Sequence, residues 1–109
     1  MATLGLRSKH WIVDEKGNII MGEGRREIFE IIQRTGSLNQ TAKIMKMSYR
    51  GVWGRIKATE KVLKKKLVYT DRKLGSSLTP EGEELLEKYR ILKKKCVAAD
   101  DKLFSSMFE

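Results

Sequence analysis

A chain of 109 residues that is 40% hydrophobic and 34% charged has room for one small core. No stretch of it approaches the roughly 20 apolar residues of a membrane span. Lys and Arg number 23 against 14 acids, a formal charge of +9, so an acidic partner is favoured before any motif is read. A single cysteine excludes an internal disulfide framework, and a single histidine far from it in sequence leaves no cluster at metal-ligand spacing.

Met1 to Arg7 lacks the apolar segment of a signal peptide, which predicts a soluble, cytoplasmic protein. His10 to Val13 and Ile19 to Met21 read as a β-hairpin around Asp14-Glu15-Lys16-Gly17-Asn18, with Gly17 or Asn18 taking the positive φ of a short loop. Trp11 is free to cover the core or a neighbouring subunit, and His10 reads as a polar residue at a strand edge. Gly22-Glu23-Gly24 ends the strand. Ile28, Phe29, Ile31 and Ile32 then give one apolar face to a helix from about Arg25 to Arg34, stopped by Gly36.

From Ser37 to Leu63 the pattern is two helices joined by a tight turn. Ser37 with Gln40 is a capping box, and Leu38, Ala42 and Met45 share one face. Ser48 opens the second helix, where Val52, Ile56, Thr59 and Leu63 form an inward stripe. Rotation at about 100° per residue turns Arg50, Gly54, Lys57 and Lys61 the other way. Glycine inside a helix costs roughly 1 kcal/mol against alanine, so Gly51 and Gly54 suggest close approach to another surface. A solvated lysine face, with glycines admitted by a neighbouring helix, is the plainer alternative.

Charge is strongly segregated. Between Lys43 and Lys73 there are eleven basic residues and two acids, a net +9, which leaves the rest of the chain balanced. Phosphate neutralisation with counterion release would reward this placement. After Lys64-Lys65-Lys66, Leu67 to Thr70 and Ser76 to Thr79 read as two short strands around Asp71-Arg72-Lys73-Leu74-Gly75. Such a hairpin, following a helix-turn-helix directly, is a wing that sets Arg72 and Lys73 against a nucleic-acid backbone or minor groove.

Thr79, Pro80 and Glu81 are a strong helix start. Leu85, Tyr89, Leu92, Cys96, Ala99 and Leu103 follow in steps of four and three, a heptad seam over roughly three heptads. About 25 helical residues would span about 38 Å, more than a small domain covers; Leu85 to Tyr89 can fold back over their own domain, but the far half needs a partner, so the seam is expected to be a homodimer interface. Cys96, taken alone, reads as a small buried hydrophobe. Glu83-Glu84 and Asp100-Asp101 are adjacent carboxylates pointing about 100° apart, read as solvated faces.

From Gly24 to about Leu92 the chain resembles the DNA-binding domain of the ModE-type, molybdate-responsive regulators, and more distantly the LysR-type winged-helix module. The matching segments are Gly24-Arg25-Arg26-Glu27-Ile28-Phe29, Thr35-Gly36-Ser37-Leu38, Thr41-Ala42, Met47-Ser48-Tyr49-Arg50, Trp53, Leu67-Val68 and Leu78-Thr79-Pro80-Glu81-Gly82. Met-Ser-Tyr-Arg followed by Trp53 is the most specific of them. The wing is shorter than that group's glycine-rich tip, and Glu109 falls where the molybdate-binding domains would begin. The resemblance therefore implies DNA binding with no cofactor and no small-molecule effector held by this chain.

The expected fold is mainly α with small β, a winged helix-turn-helix with an N-terminal β-hairpin and a long C-terminal helix. Residues 1–80 would form the DNA-binding domain and 81–109 the dimerisation helix. The expected function is sequence-specific binding of double-stranded DNA by a homodimeric transcriptional regulator. Expected DNA contacts are Ser37, Lys43, Lys46, Ser48, Tyr49, Arg50, Gly51, Gly54, Arg55, Lys57, Lys61, Arg72 and Lys73, with Arg50 the candidate for a bidentate guanine contact. The alternative is a winged-helix module whose basic face meets an acidic protein. RNA is disfavoured because no aromatic stacking platform is present, Tyr49 and Trp53 being expected to pack at the helix flank. An enzyme is disfavoured for want of a glycine-rich phosphate loop, a metal-ligand cluster or a paired nucleophile and base.

Overall fold

Three of the four helices in this chain open at a hydroxyl that caps them, and the first opens at Gly22 without a side-chain cap. The computed structural model describes residues 2–109. In chain order it contains β1 (Ile12–Val13), β2 (Ile19–Met21), α1 (Glu23–Thr35), α2 (Leu38–Met45), α3 (Tyr49–Leu63), β3 (Val68–Asp71), β4 (Gly75–Leu78) and α4 (Pro80–Phe108). This is the expected winged helix-turn-helix with an N-terminal hairpin and a long last helix. The hydroxyls of Ser37, Ser48 and Thr79 accept from the N–H groups of Gln40, Gly51 and Gly82, opening α2, α3 and α4. Such caps are worth about 1 kcal/mol each.

Only half of the expected capping box at α2 forms. The Ser37 N–H is taken by the Thr35 hydroxyl at 3.3 Å, which leaves Gln40 nothing to reach back to. Gly36 closes α1 in the left-handed region at φ 65. Lys46 and Lys64 close α2 and α3 in the left-handed region at φ 56 and 54, and their backbone N–H groups donate to carbonyls in the last turn of each helix. The hairpin turn uses Gly17 at φ 84.

One core lies under all of these elements. Ile28, Phe29 and Ile32 of α1 meet Leu38 and Ala42 of α2, Val52 and Ile56 of α3, and Met21 of β2; Leu67, Val68 and Leu78 close it from the wing, and Leu86 and Tyr89 from α4. Thr59 lies in the buried stripe of α3 without penalty because its hydroxyl donates to the Ile20 carbonyl at 2.7 Å, tying α3 to the N-terminal hairpin. In the wing, Val68 pairs with Leu78 and Asp71 with Gly75.

The joint between α3, wing and α4 is built around Leu67. The Glu60 carboxylate, on α3, accepts from the N–H groups of Leu67 at 2.7 Å and Val68 at 3.3 Å. Thr79 returns the connection: its N–H donates to the Leu67 carbonyl at 2.9 Å, and its hydroxyl to the Lys66 carbonyl at 2.6 Å. Gly82 follows in the first turn of α4, where any Cβ would overlap the Leu67 carbonyl. Burial acts to raise the Glu60 carboxyl, but the two amides and Lys57 outweigh it and hold it below the usual range.

α4 departs from the seam expected of it. Gly82, Leu86 and Tyr89 are its buried residues, so Tyr89 belongs to the core of its own domain and Leu85 packs half-buried against that core. The Tyr89 hydroxyl donates to the His10 carbonyl at 2.9 Å. The same face continues with Lys93, which pairs with Glu23 at 2.7 Å, and ends at Asp100, which accepts from Ser8 at 2.6 Å. Asp100 is therefore no solvated face; it sits 3.7 Å from His10 Nε2 and anchors the N-terminal segment. Cys96 is half-buried rather than buried, because the core ends before it. Trp11 is 55% exposed and covers Gly22 rather than the core. No helix among the described residues is long and apolar enough to cross a membrane.

Replacing Glu60 by Ala leaves two buried amides without an acceptor and should lower stability by on the order of 3 kcal/mol, read as a shift in the denaturant midpoint. The depressed carboxyl sets the sign of the acid dependence. Its stabilisation is complete above the ordinary value of 4.5 and is lost as pH falls through the lowered one. The Ala variant should thus unfold with a shallower acid limb than the wild type.

Candidate nucleic-acid interface

Arg50, Gly54, Lys57 and Lys61 are all exposed on the outer face of α3. The two glycines of this helix have different reasons. A Cβ at Gly51 would meet Ser48 Oγ at 3.2 Å and Met47 Cε at 3.3 Å, so Gly51 makes room for the cap of its own helix. A Cβ at Gly54 would meet nothing within 4 Å. Internal packing does not ask for a glycine at 54, and the space above it is open.

The basic residues divide sharply into paired and unpaired. Of the eleven between Lys43 and Lys73, only Lys57 forms a salt bridge among the described residues, with Glu60 at 3.1 Å. Lys57 also lies 4.4 Å from the centroid of the Trp53 ring. It is thus a fixed cation at the wing side of α3 rather than a free one, a placement its i,i+3 spacing to Glu60 already contained. On α1 and α4, by contrast, Arg26, Lys88, Arg90 and Lys93 all meet carboxylates.

The remaining expected residues fall around this face. Lys43 and Lys46 are exposed on α2 and at its end. Ser37 and Ser48 use their hydroxyl oxygens as helix caps, Ser48 exposed and Ser37 half-buried. Tyr49 does not pack at the flank as expected; it is 43% exposed in the first turn of α3, whereas Trp53 packs half-buried on the core. Arg55 lies to one side, its Nη1 donating to the Gly51 carbonyl at 3.1 Å.

Arg72 and Lys73 are exposed at the wing tip. Asp71 closes that turn by accepting from the N–H groups of Leu74 at 2.9 Å and Lys73 at 2.7 Å, and these bonds, Leu74's first, lower its carboxyl. Two neighbours escaped the sequence reading. Leu74 is 89% exposed between the tip cations and the strand. Arg25, in the first turn of α1, reaches the Arg55 carbonyl with its Nε at 3.4 Å, a contact between residues 30 apart that no local pattern signals. No group of three metal-ligating side chains exists among the described residues.

Comparison with known proteins places this geometry. Residues 25–83 match the family described as bacterial regulatory helix-turn-helix protein, lysR family. A comparison with curated proteins finds no significant relative. Among solved structures, the CbnR DNA-binding domain in complex with DNA is similar with a TM-score of 0.62 at 20% identity, over 76% of this chain and 94% of that one. DarR of Vibrio fischeri, in a DNA complex described as revealing the transcriptional activation mechanism of LTTR family members, gives 0.58 at 22% identity over 77% of this chain and 28% of that one. Full-length LysG from Corynebacterium glutamicum gives 0.56 at 21% identity, again over 78% and 28%. The chain thus spans 28% of the length of these two regulators. These likenesses show the fold, and the family match covers the helix-turn-helix, the wing and the start of α4, a family of regulators rather than enzymes. The chain belongs to the bacterial regulatory helix-turn-helix proteins of the lysR family.

Proposed function

We propose that this chain is a sequence-specific, double-stranded DNA-binding transcriptional regulator of ModE-like type, acting as a homodimer. One observation carries the reading: between Lys43 and Lys73 the cations without carboxylate partners gather around the outer face of α3, where Gly54 leaves open space. A major groove about 12 Å wide admits an α-helix, and a residue without a side chain at its centre lets the backbone approach the bases. Arg50, one turn before Gly54 and unpaired, is the base-reading residue. Lys43, Lys46, Lys61, Arg72 and Lys73 meet phosphates. The fold relatives CbnR and DarR are both described in complexes with DNA, which supports DNA as the partner. Met47-Ser48-Tyr49-Arg50 with Trp53 supports the ModE-like part of the reading.

The dimer rests on the far half of α4. Leu92, Leu103 and Met107 are 44, 62 and 70% exposed, and with Cys96 and Ala99 they line one side of a helix that has left its core. Pairing two such stripes removes them from water. The dimerisation segment is then the distal part of 81–109, its first turns serving the winged domain. Two-fold pairing carries two recognition helices, so the operator is an inverted repeat with half-site centres about 34–36 Å apart or a multiple of that.

Duplex affinity should fall steeply with salt, log K by roughly 0.9 per log unit for each phosphate neutralised. Against that background Arg50→Ala should cost about 1–3 kcal/mol and relax preference at one base pair, while Lys61→Ala should weaken all sequences alike. Titrations on a panel of single-base operator variants separate the two; identical, sequence-independent losses would demote Arg50 to a phosphate contact. Gly54→Gln should keep native melting, since its side chain enters open space, yet abolish tight binding. Undiminished affinity in that variant would show that this face is not in the groove. Truncation after Lys95 should give a folded monomer by sedimentation, and a truncated protein that remains dimeric would move the interface elsewhere.

A further inference from the structure

Two arginines meet on the flank of α3, the side chain of one on the backbone of the other, and among the described residues neither forms a salt bridge. Arg25 donates to the Arg55 carbonyl at 3.4 Å, and Arg55 turns back one helical turn to the Gly51 carbonyl at 3.1 Å. Arg25 is half-buried, and burial first, then the charge of Arg55, hold its pKa below that of a free guanidinium. Among the described residues no Asp or Glu oxygen comes within 4.0 Å of either side chain. Acids are near in sequence but engaged elsewhere: Glu23, Glu27 and Glu30 all surround Arg26. Asp14, which lines the same open groove as Arg25, accepts from Lys16 and Asn18. The fold therefore brings a half-buried arginine beside a second like charge, without the counter-charge that Arg26 and Arg90 receive.

Their position suggests what supplies it. At about 100° per residue, positions 55 and 60 lie roughly a third of a turn to either side of the outward line through Arg50, Gly54 and Lys61. Glu60 marks the wing side, since its carboxylate holds Leu67 and Val68. Arg55 marks the other side, and that flank continues with Ala58 and Val62 along an open groove of about 950 Å³ that Arg25 also lines, walled opposite by Val13 and Ile19 of the hairpin. A helix seated in a major groove has a sugar–phosphate strand at each lip. The wing is placed for one strand, and the arginine pair for the other.

We propose that Arg25 and Arg55 together clamp a backbone phosphate on the lip of the major groove opposite the wing, an assignment that rests on the DNA-binding reading above. The chemistry fits. Planar forked donors suit a tetrahedral oxyanion, charge-assisted bonds to it are the strong kind, and the anion relieves the repulsion between the two cations.

The test is duplex binding by the full chain as a function of salt, for wild type, Arg25→Gln, Arg25→Lys and the control Lys95→Gln, which removes one charge from α4. Arg25→Gln should shallow the log K against log salt slope by about 0.9 and weaken every sequence roughly tenfold or more. Arg25→Lys should keep the slope and bind more weakly than wild type, because the charge stays and the fork is lost. Lys95→Gln should leave the slope unchanged. If Arg25→Gln does not fold, Arg55→Gln on the exposed flank of α3 carries the same slope test. An Arg25→Gln slope equal to that of the wild type overturns the clamp while the DNA reading stands. Wild-type protein without salt-dependent duplex binding overturns the reading, and the clamp with it. Inorganic phosphate at fixed ionic strength, raising the melting temperature of wild type and not of Arg25→Gln in the absence of DNA, would make this a free-anion site and overturn the backbone assignment.

Discussion

Everything this fold presents to a partner depends on the peptide groups around Leu67. Three elements converge there, and each is held by a bond that crosses between them: Glu60 of α3 takes the Leu67 and Val68 amides, and Thr79 takes the Leu67 and Lys66 carbonyls. A buried amide or carbonyl left open costs about 1–3 kcal/mol, so the joint is fixed by what any displacement would unpair. Gly82 enforces the same geometry sterically, since α4 can begin where it does only if no side chain stands between it and the Leu67 carbonyl. The angle between recognition helix and wing is consequently a property of the core rather than of a loop. Glu60 also holds Lys57, so the carboxylate that anchors the wing fixes one cation of the interface.

Electrostatics then divide the molecule into two halves with opposite habits. Between α1 and α4 several charges are paired: Glu23 meets Arg26 and Lys93, and Glu30 meets Arg26 and Arg90. The Glu23 carboxyl is held at about 2, first by the Arg26 guanidinium, against burial and with help from Lys93. From Lys43 to Lys73, Lys57 alone forms a salt bridge among the described residues. Unpaired surface cations add little to folding and repel one another, so their concentration on one side is unexplained by stability. It is explained by a polyanion that completes the balance. This segregation says more than the net charge of +9, which a uniformly basic surface would match equally well.

What could be read from the sequence was what depends on neighbours three or four residues away. The caps at Ser37, Ser48 and Thr79 are such features, as are the stripe of Val52, Ile56 and Thr59 and the turn at Gly17. The register of α4 was not local. Leu85 and Leu86 are equally apolar, and the heptad pattern selects Leu85; Gly82 against Leu67 turns the helix so that Leu86 and Tyr89 face inward. Asp100 looked solvated for the same reason, because its partner Ser8 lies 92 residues away. In the interface, the open space over Gly54 followed from helical rotation alone. Which glycine was needed by its own helix, which cation was already tied down, and that Arg25 stands beside Arg55 all required the folded chain.

α4 joins the two levels of the molecule. Its first turns are core, and the next are pinned by Lys93 to Glu23 and by Arg90 to Glu30, while Asp100 and the Tyr89 hydroxyl hold the segment around His10. That segment leads into the hairpin, whose Ile20 carbonyl accepts the Thr59 hydroxyl of α3. The direction in which α4 leaves the domain is thus fixed against the recognition helix on two sides, through Leu67 and through the hairpin. In the dimer proposed above, the separation of the two recognition helices follows from that direction and from where along α4 the partners cross. The exposed stripe of α4 begins at Leu92, just beyond the last buried residue, Tyr89, so it starts on the part of the helix that these bonds brace. A short, doubly braced arm transmits little bending, so half-site spacing would be set by rigid geometry rather than selected by a flexible linker.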